Sequence, residues 1–216
     1  MNDTVKAVIF DLDGTLLDTI DDLADSVNAA LEICQYPAKS VSQIRTYVGN
    51  GIRKLIERSL EGGMENPDFE KVFQTFREHY KTNCQNKTKP YDGIMDLLRF
   101  LKAEGKKLAI VSNKADFAVK KLNQAYFPEF DMIAIGEREG VERKPAPDMV
   151  VQALQELGVS KGEAVYIGDS EVDIATASNA GLPCISVLWG FRSKALLEDH
   201  GAKRFARTPE DVRLLL

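Results

Sequence analysis

Cysteine, histidine and tryptophan are scarce in this chain of 216 residues, which contains three, two and one of them, respectively. Cys34, Cys84 and Cys184 are odd in number and widely spaced, which disfavours both a disulfide framework and a zinc site. Neither His79 nor His200 has a partner at the spacing of metal ligands. We therefore expect free thiols and a cytoplasmic location.

The chain also lacks an excess of positive charge and long apolar runs. Its formal net charge is -5, its sequence pI is about 5.2, and no block of lysine and arginine occurs. These features argue against general binding to nucleic acid or to membrane surfaces. No apolar segment approaches the roughly 20 residues of a membrane span, and residues 1–4 lack the basic start of a signal peptide. We expect a monomer or homodimer that acts on a small molecule.

The most informative stretch that is present is an apolar run over residues 5–10, followed by Asp11 and Asp13. The run predicts a strand buried on both faces, as in parallel sheets. Side chains two residues apart on an extended segment point the same way, so the two carboxylates are expected side by side beyond the strand. Such a pair needs a cation, and an all-oxygen site suits Mg²⁺. A calcium loop of the EF-hand type is excluded, because its twelfth position is Asp22 instead of Glu.

Helices and strands alternate over most of the chain. This alternation predicts an α/β fold, a Rossmann-like doubly wound parallel sheet with right-handed crossovers. Between the first two strands lies a segment with helical patterns only, too long for a crossover, which predicts an inserted α-helical cap domain. The predicted core domain is 1–17 and 88–216, and the predicted cap is 18–87. The expected strands cover residues 5–10, 108–111, 132–135, 164–167 and 184–187.

Polar residues follow the predicted strands at several points. Because the carboxyl ends of parallel strands meet at one edge of the sheet, distant residues are expected to share one cleft. Carboxylates, one ammonium, a hydroxyl and backbone N–H groups together suit a phosphoryl group and a metal ion. The residues concerned are Asp11, Asp13, Ser112, Asn113, Lys144, Asp169 and Asp173.

Four segments in this order resemble the signature of the haloacid dehalogenase-like superfamily, and especially its phosphoglycolate phosphatase-like branch. They are Asp11-Leu12-Asp13-Gly14-Thr15, Ser112, Lys144 and Gly168-Asp169-Ser170-Glu171-Val172-Asp173. The resemblance covers nearly the whole chain, including a helical cap inserted after the first motif. It implies a phosphatase with the core and cap described above.

The resemblance also implies a role for each matching residue. Asp11 would be the nucleophile that forms an aspartyl-phosphate, and Asp13 would be the general acid and then the general base. Lys144 would steady the nucleophile and, with Ser112 and the backbone of Asn113, bind the phosphate.

A Mg²⁺ ion would complete the site that the resemblance implies. Its ligands would be Asp11, Asp169 and the backbone carbonyl of Asp13. Asp173 would contact the ligand residues instead of the metal itself, or would orient Lys144. Thr15 would likewise contact a ligand residue and not the metal.

The substrate is the least determined property. The glycine-flanked segment before Arg53 resembles its counterpart in phosphoglycolate phosphatases, so Arg53 is the candidate contact for a substrate carboxylate. Phosphoglycolate is the first candidate substrate.

Sugar phosphomutase, pyrophosphatase and nucleotide phosphatase activities remain open alternatives. A non-enzymatic phosphate-binding scaffold is disfavoured because no chemical group is missing. Dehalogenation is disfavoured because a halide leaving group needs no acid.

Overall fold

The computed structural model describes residues 5–216, and the chain forms two compact units. One unit runs up to Leu17 and resumes at Pro90–Leu216, and the other is Asp18–Lys89. The elements in chain order are β1 (Ala7–Phe10), β2 (Leu17–Asp18), α1 (Ile20–Ile33), α2 (Val41–Tyr47), α3 (Ile52–Ser59), α4 (Phe69–Asn83), β3 (Lys89–Pro90), α5 (Ile94–Ala103), β4 (Lys107–Ala115), α6 (Asp116–Tyr126), β5 (Ile133–Glu137), α7 (Asp148–Leu157), β6 (Ala164–Gly168), α8 (Glu171–Ala180), β7 (Cys184–Val187), α9 (Lys194–Asp199), β8 (Phe205–Ala206) and α10 (Pro209–Leu215).

The larger unit is built on a six-stranded sheet in the order β5-β4-β1-β6-β7-β8, with every neighbouring pair parallel. The central strand β1 pairs with β4 on one side and with β6 on the other. Phe10 lies beside Ile110 and Ile167, so the three strands end close together. The predicted doubly wound α/β sheet is confirmed.

Alternate residues of β1 enter two separate cores. Val8 and Phe10 pack in the cluster that includes Leu97 of α5, whereas Ile9 packs in the cluster that includes Met149 of α7. Both faces of the strand are thus covered by helices, and all four of its residues are buried. This double burial explains why the strand is uniformly apolar instead of alternating.

Two features of the sheet differ from the prediction. Strand β4 continues past Val111 to Ala115, with a shift in its register against β5 between these residues. A sixth strand, β8, follows the five that were expected. Because β8 has only two residues, it leaves no apolar run in the sequence from which a strand is predicted.

The smaller unit contains the four helices that helical spacing predicts. Leu23, Val27 and Leu31 recur at four-residue intervals on the buried face of α1, which packs against α4. On α4, Phe76 is fully buried and stacks on Tyr80 with ring centroids 5.3 Å apart. The role of this unit as a substrate-selecting cap stays a prediction.

A buried carboxylate fixes the end of the smaller unit. Asp22, in the first turn of α1, is 1% exposed and accepts hydrogen bonds from the backbone N–H groups of Lys87 and Thr88, at distances from 2.8 to 3.1 Å. Backbone donors satisfy this charge where water cannot. The segment that leads into β3 is therefore tied to the first turn of α1. A separate two-stranded sheet joins β2 to β3.

Residues 5–216 contain neither a disulfide bond nor a helix that could cross a membrane. None of the three cysteines forms a disulfide within these residues. The helices of this part of the chain are all too short or too polar to cross a bilayer.

Removing the Phe76 ring should destabilise the smaller unit strongly. We expect Phe76→Ala to lower the free energy of unfolding by about 3–5 kcal/mol, because it leaves a cavity where a buried ring was. Urea denaturation followed by circular dichroism measures this change. Phe117→Ala is the matched control, because Phe117 is 47% exposed and its loss should change stability by no more than about 0.5 kcal/mol. Equal losses for both variants would contradict the packing described above.

Candidate active site

The site begins where β1 and β6 end. Asp11 directly follows β1, and Asp169 directly follows β6, its parallel neighbour. The backbone N–H of Asp11 donates to the carbonyl of Ile167 at 2.9 Å, which holds the two strand ends together. The pairing thus brings two acids that are 158 positions apart to one edge of the sheet, as the sequence predicts.

A tight turn after β1 carries Asp13. The carbonyl of Leu12 accepts hydrogen bonds from the backbone N–H groups of Thr15, Leu16 and Leu17. Gly14 has a φ of 86°, and a Cβ built on it would collide with the carboxylate of Asp169. Glycine is therefore required at this position for two reasons, the left-handed backbone conformation and the close approach of Asp169.

Lys144 is the positive centre of the site. Its side chain is 2% exposed, and its Nζ lies 2.9 Å from Asp11 Oδ1, 2.8 Å from Asp173 Oδ1 and 3.0 Å from the hydroxyl of Tyr166. The Tyr166 hydroxyl is also 3.1 Å from the carbonyl of Val111. The ammonium donates hydrogen bonds to Asp173 and Tyr166 and lies at ion-pair distance from Asp11.

The side chain of Asn113 holds the backbone of Lys144 in place. Asn113 Nδ2 donates to the Lys144 carbonyl at 3.0 Å, and the Lys144 N–H donates to Asn113 Oδ1 at 2.8 Å. Both polar ends of this side chain are thus used within the protein. The sequence interpretation gave phosphate contact to the Asn113 backbone, and that contact stays a prediction, as does the contact from the buried Ser112.

The α8 N-terminus fixes Asp173. Its Oδ2 accepts from the backbone N–H and the hydroxyl of Ser170, which caps the helix in return. Its Oδ1 faces Lys144 and Tyr166. A Cβ on Gly168 would collide with the Asp173 side chain. Every oxygen of Asp173 is therefore engaged by the protein itself.

The loop after β7 closes over Asp169. The backbone N–H of Phe191 donates to Asp169 Oδ2 at 2.7 Å, and the indole N–H of Trp189 donates to the Thr15 carbonyl at 2.9 Å. The hydroxyl of Thr15 is 3.5 Å from Asp169 Oδ1, at the limit of a hydrogen bond. From the sequence, Trp189 and Phe191 are expected to be packing residues, and the family resemblance implies that their loop borders the cleft.

Three carboxylates converge at this point. Asp11, Asp169 and Asp173 are all buried, and each offers an oxygen within 4.8 Å of the others. Burial raises the pKa of the Asp11 carboxyl to about 7, although the Lys144 ammonium opposes the rise. Burial, together with the charges of Asp173 and Asp11, raises the pKa of Asp169 well above its ordinary value. Burial alone would lower the pKa of Lys144, but Asp11 and Asp173 raise it well above its ordinary value.

This charge distribution fits a bound cation. Among residues 5–216, Asp11 Oδ1 is a buried oxygen with no aligned hydrogen-bond donor, although Lys144 lies near it. Oxygen atoms of two further acids lie close by, and hard divalent cations prefer such ligands. The side chain of Asp13 is not among these three carboxylates. The resemblance implies that its backbone carbonyl is the metal ligand, and that contact stays a prediction.

Lys114 is the residue that sequence reasoning missed. Its side chain is 3% exposed, and its Nζ lies 2.8 Å from Asp13 Oδ1 and 3.1 Å from Oδ2. Two buried ammonium groups therefore offset the acids of the site, whereas the sequence predicts only that of Lys144. The sequence offered no signal for Lys114, because the predicted strand ends at residue 111 and β4 continues to Ala115 only in the structure.

Arg53 has contacts within the smaller unit that account for its position. Its guanidinium forms an ion pair with Glu70 and lies over the rings of Phe69 and Phe73, 5.2 and 4.7 Å from their centroids. The side chain is 47% exposed. These contacts do not require a substrate, and the contact with a substrate carboxylate stays a prediction.

Comparisons with known proteins agree on one family. The family model described as haloacid dehalogenase-like hydrolase matches residues 8–187. A protein named phosphoglycolate phosphatase from Pseudomonas putida is 31% identical over 221 residues, covering 98% of this chain and 78% of that protein. Another of that name from Thiobacillus denitrificans is 35% identical over 193 residues, covering 87% of this chain and 85% of that protein.

Solved structures show the same relationship. The crystal structure of a Lactobacillus delbrueckii subsp. bulgaricus protein, provisionally described as a phosphoglycolate phosphatase, has a TM-score of 0.91 and 37% identity, covering 97% of each chain. The resemblance that the four sequence motifs indicate is therefore confirmed.

A divalent cation should stabilise the protein through this site. We expect Mg²⁺ to raise the melting temperature of the wild type, because binding offsets the repulsion among buried carboxylates. At a hundredfold excess over the dissociation constant the gain is about 2.7 kcal/mol, which thermal denaturation at increasing Mg²⁺ concentration detects.

Asp169→Asn should abolish this response while leaving the metal-free protein at least as stable as the wild type, because it removes one of the repelling charges. Asp148→Asn is the matched control, since Asp148 is exposed and should leave the response intact. A full response in Asp169→Asn would exclude Asp169 as a ligand.

Proposed function

The chain belongs to the haloacid dehalogenase-like hydrolase family, and from that premise we propose that it is a Mg²⁺-dependent phosphatase acting on a small phosphate monoester. The observation that carries the proposal is the buried Lys144, whose Nζ reaches Asp11 and Asp173 at 2.9 and 2.8 Å. An ammonium beside a nucleophile can stabilise the charge that develops during phosphoryl transfer.

Asp11 is proposed as the nucleophile. One of its carboxylate oxygens attacks phosphorus, the bond from phosphorus to the ester oxygen breaks, and an aspartyl-phosphate forms. Asp13 gives its proton to the departing alkoxide. It then takes a proton from the water that attacks phosphorus, which releases inorganic phosphate and restores the Asp11 carboxylate. Asp13 lies two residues beyond the proposed nucleophile and directly before the turn at Gly14.

Ser112, the backbone of Asn113 and the Lys144 ammonium are proposed to bind the phosphate oxygens. Asn113 supports this assignment indirectly, since its side chain fixes the Lys144 backbone. The site would thereby hold the phosphoryl group against Asp11 with two neutral donors and one charge.

Asp11, Asp169 and the carbonyl of Asp13 are the proposed metal ligands. Bound Mg²⁺ would supply positive charge beside the transferring phosphoryl group. Asp173, whose oxygens are already engaged by Lys144 and Ser170, would support the site from behind, and Thr15 would do the same for Asp169.

Phosphoglycolate is the first substrate to test, because two relatives that are 31% and 35% identical to this chain over the aligned residues are named phosphoglycolate phosphatase. The smaller unit, predicted as a cap over 18–87, is proposed to select the substrate. Arg53 is its candidate contact for a carboxylate, although the observed partners of Arg53 are Glu70 and two aromatic rings.

Replacing the nucleophile tests the proposed chemistry. We expect Asp11→Asn to lower Mg²⁺-dependent phosphate release from 2-phosphoglycolate and from p-nitrophenyl phosphate by at least about 10³-fold, as for other residues that form a covalent intermediate. Colorimetric phosphate assays without any bisphosphate activator provide the measurement, and also separate a phosphatase from a phosphomutase. Asp148→Asn is the control that should keep full activity. Residual activity of Asp11→Asn equal to that of the wild type would rule out Asp11.

Arg53→Ala tests the cap contact. If Arg53 binds the substrate carboxylate, its loss should raise KM for 2-phosphoglycolate about tenfold, the effect of one charged hydrogen bond. Steady-state kinetics would show this change with kcat nearly constant. Arg77→Ala is the matched control, because Arg77 also lies over the ring of Phe73, 5.6 Å from its centroid. An unchanged KM in Arg53→Ala would leave Arg53 with a packing role only.

A further inference from the structure

The ion pair between Lys114 and Asp13 has no role in the mechanism above. Lys114 as a whole residue is 5% exposed, and its Nζ lies 2.8 and 3.1 Å from the two oxygens of Asp13. Isolated lysines are almost never buried so completely, because desolvating an ammonium is costly unless a partner offsets it. Such burial beside the proposed acid calls for an explanation.

The backbone around Lys114 is shaped to bring it there. Lys114 lies near the end of β4, where the register against β5 shifts before Ala115. Its backbone N–H donates to the hydroxyl of Ser112 at 3.3 Å. A Cβ on Gly136 of β5 would lie 2.6 Å from the Lys114 carbonyl oxygen, so only glycine permits this approach of the two strands. The end of β4 is thus fixed by a hydrogen bond within the strand and by its close packing against β5.

The distances place Lys114 near the leaving group. In the proposed mechanism, Asp13 contacts the ester oxygen of the substrate through one hydrogen bond. Lys114 Nζ is one hydrogen-bond length from the same carboxylate. A group that lies next to the ester oxygen therefore comes within reach of the ammonium.

A carboxylate on the carbon that bears the ester oxygen matches this spacing. In such a molecule the ester oxygen and the nearer carboxylate oxygen are three bonds apart, roughly 3 Å by ordinary bond lengths. That separation is close to the 2.8 Å between Asp13 and Lys114. One molecule can therefore contact Asp13 with its ester oxygen and Lys114 with its carboxylate.

We propose that Lys114 determines specificity by binding the carboxylate of a phosphorylated 2-hydroxy acid. This proposal rests on the phosphatase function proposed above and deepens it, because it assigns recognition of the leaving group to a residue of the α/β unit. A substrate carboxylate beside this buried ammonium gains an ion pair that a neutral analogue cannot form, so Lys114 would favour the charged substrate.

A pair of substrates that differ in one charge tests the proposal. The two are 2-phosphoglycolate and ethyl phosphate, which share the ester linkage but differ in the carboxylate. We expect wild type to prefer 2-phosphoglycolate, and Lys114→Gln to lower the ratio of the two kcat/KM values by about 10–100-fold, with little change for ethyl phosphate. Lys114→Arg keeps the charge and should keep part of the preference. Lys120→Gln, at an exposed lysine of α6, is the control.

Other outcomes overturn the proposal. Equal losses on both substrates in Lys114→Gln would mean that Lys114 acts only through Asp13, and no loss on either would mean that it has no role in catalysis. Wild type that hydrolyses ethyl phosphate but shows no preference for 2-phosphoglycolate would also refute it. Absence of Mg²⁺-dependent turnover on any phosphate ester would instead refute the proposed function.

A measurement on the wild type guards against a variant that does not fold. Glycolate, the product that carries the carboxylate, should inhibit hydrolysis of ethyl phosphate at concentrations at least about tenfold lower than ethylene glycol, its neutral analogue. Equal inhibition by the two would contradict carboxylate binding, whatever the behaviour of the Lys114 variants.

Discussion

The pairing of buried carboxylates with buried ammonium groups is the interaction on which the rest of the site depends. Two unit charges 2.9 Å apart attract by about 6 kcal/mol at an effective dielectric constant of about 20. Desolvation costs several kcal/mol for each ion, so a single pair such as Lys144 with Asp11 comes close to balance. Lys144 faces both Asp11 and Asp173, and Asp169 has no lysine beside it among the contacts described. The three carboxylates of this group therefore exceed the one ammonium by two charges, which explains why a divalent cation fits them.

The order of the strands makes this concentration of charge achievable. With β1 in the centre of the sheet, β4 on one side and β6 on the other, residues from three distant segments reach one edge. Glycines then permit contacts that any side chain would prevent, at Gly14 against Asp169 and at Gly168 against Asp173. The apolar strands supply the low dielectric in which these charges interact strongly. The same burial that makes the acids costly therefore makes the lysines effective.

The sequence predicts the fold and the main members of the site because both leave local patterns. Uniformly apolar strands that end in acids give the parallel sheet and Asp11, and four motifs in order give the family. Lys114 was missed because a lysine in isolation usually has a solvated side chain, and only the extension of β4 past Val111 buries it. The clamp of Asn113 on Lys144 and the closure of Phe191 over Asp169 are tertiary contacts. They leave no periodic or local signal.

In the roles proposed for them, Lys144 serves the chemistry and Lys114 serves the choice of substrate. Lys144 contacts Asp11, the proposed nucleophile, and is surrounded by protein oxygens, so its position would not depend on which alcohol leaves. Lys114 contacts Asp13, the proposed general acid, so its surroundings would change with each substrate. Replacing the first should impair every phosphate ester alike, whereas the second can discriminate among them. An α/β unit with both lysines would contribute to recognising a carboxylate on the carbon that bears the ester oxygen, the same group for which Arg53 is the candidate contact in the smaller unit. Recognition of more distant groups would then fall to other parts of the chain.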